Sequence, residues 1–142
     1  MRILGLDVGD RRIGIAVSDA LGLTAQPLAV LGRRSLAEDL GAIRTLVEHH
    51  EASAVVVGLP LTLRGARGPQ AEKVVAFTEQ LRQAVTAPVH LLDERLTTVQ
   101  GSRALTEMGM RHKQKKSVVD QVAAQLILQQ FLDMQRHREQ PA

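Results

Sequence analysis

The sequence predicts an α/β protein, a mixed five-stranded sheet with helices on both faces. Three short apolar runs follow one another before residue 32 with only turn-length breaks, and strands so joined form an antiparallel meander. Two later runs, 54–58 and 89–92, alternate with segments of helical periodicity. They should therefore join the sheet in parallel through right-handed crossovers.

The first two runs, Ile3 to Val8 and Ile13 to Val17, flank Gly9-Asp10-Arg11-Arg12, the pattern of a β-hairpin. Alternation places Ile3, Gly5, Asp7 and Gly9 on one face and Leu4, Leu6 and Val8 on the other. Gly5 and Gly9 clear space beside Asp7, as a bulky ligand would require. Leu23 to Leu31 forms the third strand, with Pro27 at its start or at a sheet edge. Gly32-Arg33-Arg34 turns the chain, and Ser35-Leu-Ala-Glu38 has capping-box spacing, which predicts a helix from about Leu36 to His49. Ala54 to Gly58 lacks alternation, as a strand buried on both faces does. Leu59 to Pro69 is a Gly- and Pro-rich loop made basic by Arg64 and Arg67, and Pro69 suits the first turn of the next helix. Pro88 stops that helix. Val89 to Leu92 is expected to be a second fully apolar strand, ending in Asp93-Glu94-Arg95. Thr97 or Thr98 can cap a helix to about Met108, and a last helix is expected from Ser117 to about Arg136. On that helix Asp120 falls among Ala124, Ile127 and Phe131, opposite a polar stripe of Gln121, Gln125, Gln129 and Asp133.

With 142 residues, 44% hydrophobic and 23% charged, the chain is expected to form one domain over residues 1–136 with a flexible tail at 137–142. No run approaches the roughly 18 apolar residues of a membrane span, and Met1-Arg2 leads straight into a strand, so neither a span nor a signal peptide is expected. The absence of Cys excludes disulfides and thiolate metal sites and fits a reducing, cytoplasmic setting. Net charge is only +3, but Arg111, Lys113, Lys115 and Lys116 cluster, and Arg11-Arg12 and Arg33-Arg34 add pairs, as a phosphate-bearing partner would favour. Aromatic content of 1% leaves little for stacking on splayed bases, so a nucleic acid would be read by backbone and shape.

Three acids from distant segments are expected to meet: Asp7 near the end of the first strand, Asp93 or Glu94 at the end of the fifth, and Asp120 in the last helix. Ligands of such sheets collect at the carboxyl ends of central strands. Uncompensated carboxylates so close would repel, and Mg²⁺ or Mn²⁺, which prefer hard oxygen ligands, would relieve this. Paired ions about 4 Å apart can activate water and stabilise a leaving oxygen in phosphodiester cleavage.

Four stretches carry a resemblance. They are Leu6-Asp7-Val-Gly9-Asp-Arg11-Arg12-Ile-Gly14 with its continuation to Asp19, Val57-Gly58-Leu59-Pro60-Leu61, Asp93-Glu94-Arg95-Leu96-Thr97-Thr98, and Lys115-Lys116-Ser-Val-Val119-Asp120-Gln121 to Leu128. Together they resemble the YqgF family, also called RuvX, of the ribonuclease H-like superfamily. Its members are described as Holliday junction resolvases and as nucleases maturing the 5′ end of pre-16S ribosomal RNA. The resemblance implies a ribonuclease H-like fold and a divalent-metal-dependent endonuclease. It carries the catalytic and metal-binding acids onto Asp7, Glu94 (preferred to Asp93) and Asp120. Arg11, Arg12, Arg64, Arg67, Lys115 and Lys116 would contact nucleic-acid phosphates. Family members often follow Gly-Leu-Pro-Leu with Asn and an acid, where this chain has Thr62 and Arg64.

The rival expectations are a non-catalytic nucleic-acid-binding or ribosome-assembly factor on the same fold, and an actin-like or sugar-kinase-like phosphotransferase, which would need two such domains. Resolution of a two-fold-symmetric junction would call for a homodimer; RNA trimming would not.

Overall fold

The computed structural model describes residues 1–62, 64–96 and 112–139, the side chains of 96, 112–121, 138 and 139 excepted. Strands β1 (Arg2–Val8), β2 (Arg12–Ser18), β3 (Ala25–Gly32), β4 (Ala52–Leu59) and β5 (Val89–Asp93) form one sheet in the order β3-β2-β1-β4-β5. β1 pairs antiparallel with β2 and β2 with β3, whereas β1 with β4 and β4 with β5 are parallel. This is the expected mixed sheet, with a meander on one side of β1 and crossovers on the other.

The helices are α1 (Leu36–His49), α2 (Pro69–Ala84) and α3 (His112–Glu139). The Ser35 hydroxyl accepts from the Glu38 N–H at 3.1 Å, the expected N-cap of α1, and Pro69 occupies the first turn of α2.

Strand alternation divides the core into two layers. On one face Leu4, Leu6 and Val8 pack with Ile43 and Val47 of α1 and Val74, Phe77 and Leu81 of α2. On the other, Ile3, Ala54, Val56 and Leu92 pack with Ala124, Ile127, Leu128 and Leu132 of α3. Each fully buried Leu or Ile contributes about 1.5–3 kcal/mol of transfer free energy, so the two layers together fix which face each strand residue occupies.

Several expectations are corrected. α3 begins at His112, five residues before Ser117, and ends at Glu139 rather than Arg136. Lys and Gln propagate a helix well and nothing in His112-Lys-Gln-Lys-Lys116 interrupts one. Ser117 and Asp120 are therefore interior positions, and their capping-box spacing is not a helix start. β5 is a sheet edge but is covered on both faces: Val89 and Leu92, in opposite layers, are buried, while His90 is exposed and its ring lies 5.4 Å from that of Phe131. The third strand starts at Ala25 rather than Leu23, which is exposed. The Gln stripe of α3 does not simply face water. Gln125 Nε2 donates to Ala25 O at 3.1 Å, and Gln129 accepts from Ala25 N–H at 2.9 Å and donates to Leu23 O at 3.0 Å. These amides occupy backbone groups at the start of an edge strand. The helix expected from Thr97 or Thr98 to Met108 lies outside the described residues. Among the described residues no helix is long and apolar enough to cross a membrane.

α3 lies close to the sheet at Gly5, where a Cβ would stand 2.7 Å from Leu128 Cβ and 3.1 Å from Ala124 O. A Cβ on Gly41 of α1 meets nothing within 4 Å. Gly5→Ala is therefore expected to destabilise by about 1–3 kcal/mol through overpacking. Gly41→Ala should stabilise by about 0.5–1 kcal/mol through helix propensity. Denaturant midpoints of the two variants should move in opposite directions.

Candidate functional site

The site is built where β1, β4 and β5 end. Asp7 follows Ile3 and Gly5 on the α3 face of β1, and Gly58 follows Ala54 and Val56 on the same face of β4. Leu92 belongs to the same layer, so the next residue on that face after β5 is Glu94, not Asp93. Sequence alternation alone could not choose between these two acids, because it did not say which face β5 turned towards α3. Glu94 opens a single 3-10 turn, Glu94–Leu96. Asp7 is 7% exposed and Glu94 2%.

Both acids line one cleft of about 280 Å³, together with Gly9, Asp10, Gly58 and Gln70, and with Val8 and Pro60. A Cβ on Gly58 would stand 3.2 Å from Glu94 Cγ and 2.5 Å from Ile127 Cδ1, so a glycine here admits both the acid and the helix. The space beside Gly5 is taken by Leu128, and at Gly9 a Cβ would meet Arg12 O at 2.9 Å. The expectation that these two glycines leave room for a ligand is corrected at Gly5, which admits a helix; Gly9 both closes a tight turn and lines the cleft.

Asp93 is turned to a different task. Arg95 donates through Nε and Nη2 to both its carboxylate oxygens, at 3.1 and 2.7 Å, and the Arg95 backbone N–H adds a bond of 2.9 Å. The side-chain hydrogen bonds from Arg95 hold the Asp93 carboxyl below the usual carboxylate range, and the same pairing pushes Arg95 up. Gly65, with φ +84°, presses on this guanidinium: a Cβ there would lie 3.0 Å from Arg95 Nη1. Thr62 closes the loop above it, donating its N–H to Ala66 O at 2.9 Å and accepting through Oγ1 from Ala66 N–H at 3.0 Å. The Thr at this departure from the usual family pattern thus has a structural use in the turn.

Of the nine residues singled out in the sequence, Asp7 and Glu94 are brought together. Asp120 lies in α3 one turn before Ala124, and its side chain, like those of Lys115 and Lys116, is outside the described residues. Arg11, Arg64 and Arg67 are exposed and Arg12 is half-buried. Asp10 and Gln70 line the cleft without having been singled out. Gln70 carried one usable signal, its place just after Pro69 at a helix start beyond a strand–loop switch. Among the described residues no group of three His, Cys, Asp or Glu side chains is close enough to hold a metal ion. The described lining offers the buried Asp7 and Glu94 oxygens, while Asp10, at the exposed side, is paired with Lys73 at 3.3 Å. That donor chemistry fits a hard divalent cation.

A five-stranded mixed sheet in this order, with helices on both faces, has the ribonuclease H-like fold, and comparison with solved structures shows the same fold. Thermus thermophilus RuvC, solved with a Holliday junction substrate, has a TM-score of 0.62 at 14% identity, covering 100% of this chain and 99% of that one. The fowlpox virus Holliday junction resolvase has a TM-score of 0.54 at 12% identity, covering 94% and 99%. Residues 1–134 match the family model of RuvX, described as Holliday junction resolvase, and the chain belongs to that family. A relative from Moorella thermoacetica is 51% identical over 94% of this chain and 95% of its own length. One from Myxococcus xanthus is 48% identical over 96% and 90%. Both bear the name "Putative pre-16S rRNA nuclease".

The Asp93–Arg95 pair gives a pH signature. A carboxylate whose folded pKa is depressed contributes stability that is present above its unfolded pKa, near 4, and is lost as pH falls through the folded value. Arg95→Gln should raise the Asp93 pKa towards that ordinary value, measurable by NMR titration. It should also flatten the acid limb of the stability–pH profile below about pH 4.

Proposed function

We propose that this protein is a divalent-metal-dependent endonuclease that cleaves a structured phosphodiester substrate, with pre-16S ribosomal RNA favoured over a four-way DNA junction. The observation that carries the reading is that two buried acids, Asp7 and Glu94, line one cleft at the carboxyl ends of β1 and β5. Carboxylate oxygens gathered at one place are the donors a hard divalent cation takes. The preference for RNA follows the names of relatives 51% and 48% identical; the junction reading rests on the description of the matched family and on neighbours whose likeness is one of fold.

In this reading Asp7 and Glu94 hold Mg²⁺ or Mn²⁺ with Asp120 as third acid from α3. Bound there, the ions would supply an activated water and charge stabilisation for the leaving oxygen. Asp10 and Gln70 sit at the cleft for contacts to water or the sugar–phosphate chain. Arg11, Arg12, Arg64, Arg67, Lys115 and Lys116 hold flanking phosphates and supply affinity, not base preference. A junction substrate would require a homodimer, and an RNA substrate would not.

The test is cleavage of a labelled pre-16S RNA fragment and a labelled four-way junction by the full chain in Mg²⁺, Mn²⁺ or EDTA. Cutting should need metal and should fall by more than about 100-fold in Asp7→Asn, Glu94→Gln and Asp120→Asn, at least the loss seen when groups supporting metal ligands are removed. Arg64→Ala with Arg67→Ala should instead weaken binding and lower the slope of log affinity against log salt by about one for each phosphate left without its arginine. Cutting that survives EDTA or the acid substitutions overturns the metal mechanism. Binding without any cutting would make the protein a nucleic-acid-binding factor.

A further inference from the structure

Arg33 and Asp39 stand outside the acidic cleft, yet they hold the turn that forms its wall. Asp39, in the first turn of α1, is 3% exposed. One of its oxygens accepts from Arg33 Nε at 3.1 Å and the other from the Arg34 N–H at 3.0 Å. The same guanidinium donates through Nη1 to the carbonyl of Gly9 at 3.0 Å, and its carbon lies 5.1 Å from the centre of the Phe77 ring on α2. Backbone bonds complete the junction, from Arg33 N–H to Arg11 O and from Gly9 N–H to Arg12 O, each 2.9 Å.

A pair with one carboxylate this deeply buried is a poor source of net stability, because desolvation offsets most of its Coulomb gain. What it supplies is geometry. A planar guanidinium presents fixed donors to two acceptors at once, which the single ammonium of Lys does not. One acceptor is the anchored carboxylate. The other is a carbonyl two residues beyond Asp7, in a turn whose Gly9 and Asp10 line the cleft. The pair Arg33-Arg34 has the sequence pattern of a phosphate contact, but the Arg33 charge is directed inward.

We infer that Arg33, clamped by Asp39 and Phe77, is a positioning residue that fixes the Gly9–Arg12 turn and through it the placement of Asp7 and Asp10 in the cleft. The catalytic consequence rests on the nuclease reading above; the structural consequence does not.

The full-length Arg33→Met and Arg33→Lys variants test it by thermal unfolding, amide hydrogen exchange over residues 8–12, and cleavage kinetics on the substrate the wild type cuts. Arg33→Met keeps an apolar stem against Phe77. It should exchange faster at residues 8–12 and lose on the order of 10- to 100-fold in kcat, as misplacement of a reacting group does, with KM nearly unchanged. Arg33→Lys should recover thermal stability by pairing with Asp39, without recovering kcat or exchange protection. Unchanged exchange, a rise in KM alone, or full rescue by Lys overturns the inference. If Arg33→Met does not fold, Arg33→Lys decides by the same criteria. If the wild type cuts neither RNA nor junction, the nuclease reading fails, and the exchange comparison alone upholds or overturns the role of Arg33.

Discussion

The site depends on how closely α3 lies on the sheet, and that distance is set by two positions with no side chain. At Gly5 any Cβ would collide with Leu128, and at Gly58 with Ile127. The helix can therefore settle onto β1 and β4 and bury Ala124, Ile127, Leu128 and Leu132. The same absence at Gly58 leaves room for the Glu94 side chain, 3.2 Å from where a Cβ would be. One packing constraint thus closes the core and brings two acids from strands separated by β4 to the same face. It also directs α3, with Asp120 one turn before Ala124, along the sheet.

Charge is divided by depth. Asp7 and Glu94 are buried at the cleft, while Asp93, one residue earlier and on the opposite face, is neutralised by Arg95. Arg33 and Arg95 serve the protein's own carboxylates and the backbone of the loops around the cleft. Arg11, Arg64 and Arg67 remain exposed on those same loops. A modest net charge of +3 therefore conceals a local arrangement: acids inside, cations at the rim, and two arginines that brace the rim from within.

The meander-then-crossover topology and the alternation of β1 were legible in the sequence because each follows from local spacing, whereas the placement of β4 beside β1 is a tertiary fact. Ser35 and Pro69 marked two helix starts for the same reason. The start of α3 was not legible: Ser117-Val-Val-Asp120 imitates a capping box inside a helix that His112 to Lys116 extend backwards. The faces of Asp93 and Glu94 required knowing which way Leu92 turned, a tertiary fact. Gln125 and Gln129 looked like a solvated stripe because their partners, at Leu23 and Ala25, lie about a hundred residues away in sequence. The inward direction of Arg33 depends on Asp39, a partner six residues away that only the folded turn brings to it.

The central claim is that Asp7 and Glu94 together hold a divalent ion. Thermal unfolding of the intact chain across a Mn²⁺ titration, in wild type, Asp7→Asn and Glu94→Gln, tests it most directly, because an ion bound only by the folded state adds about 2.7 kcal/mol at 100 times its Kd. The account predicts a saturable rise in Tm for the wild type and none for either variant. An equal rise in all three proteins, or no rise in the wild type, would contradict it.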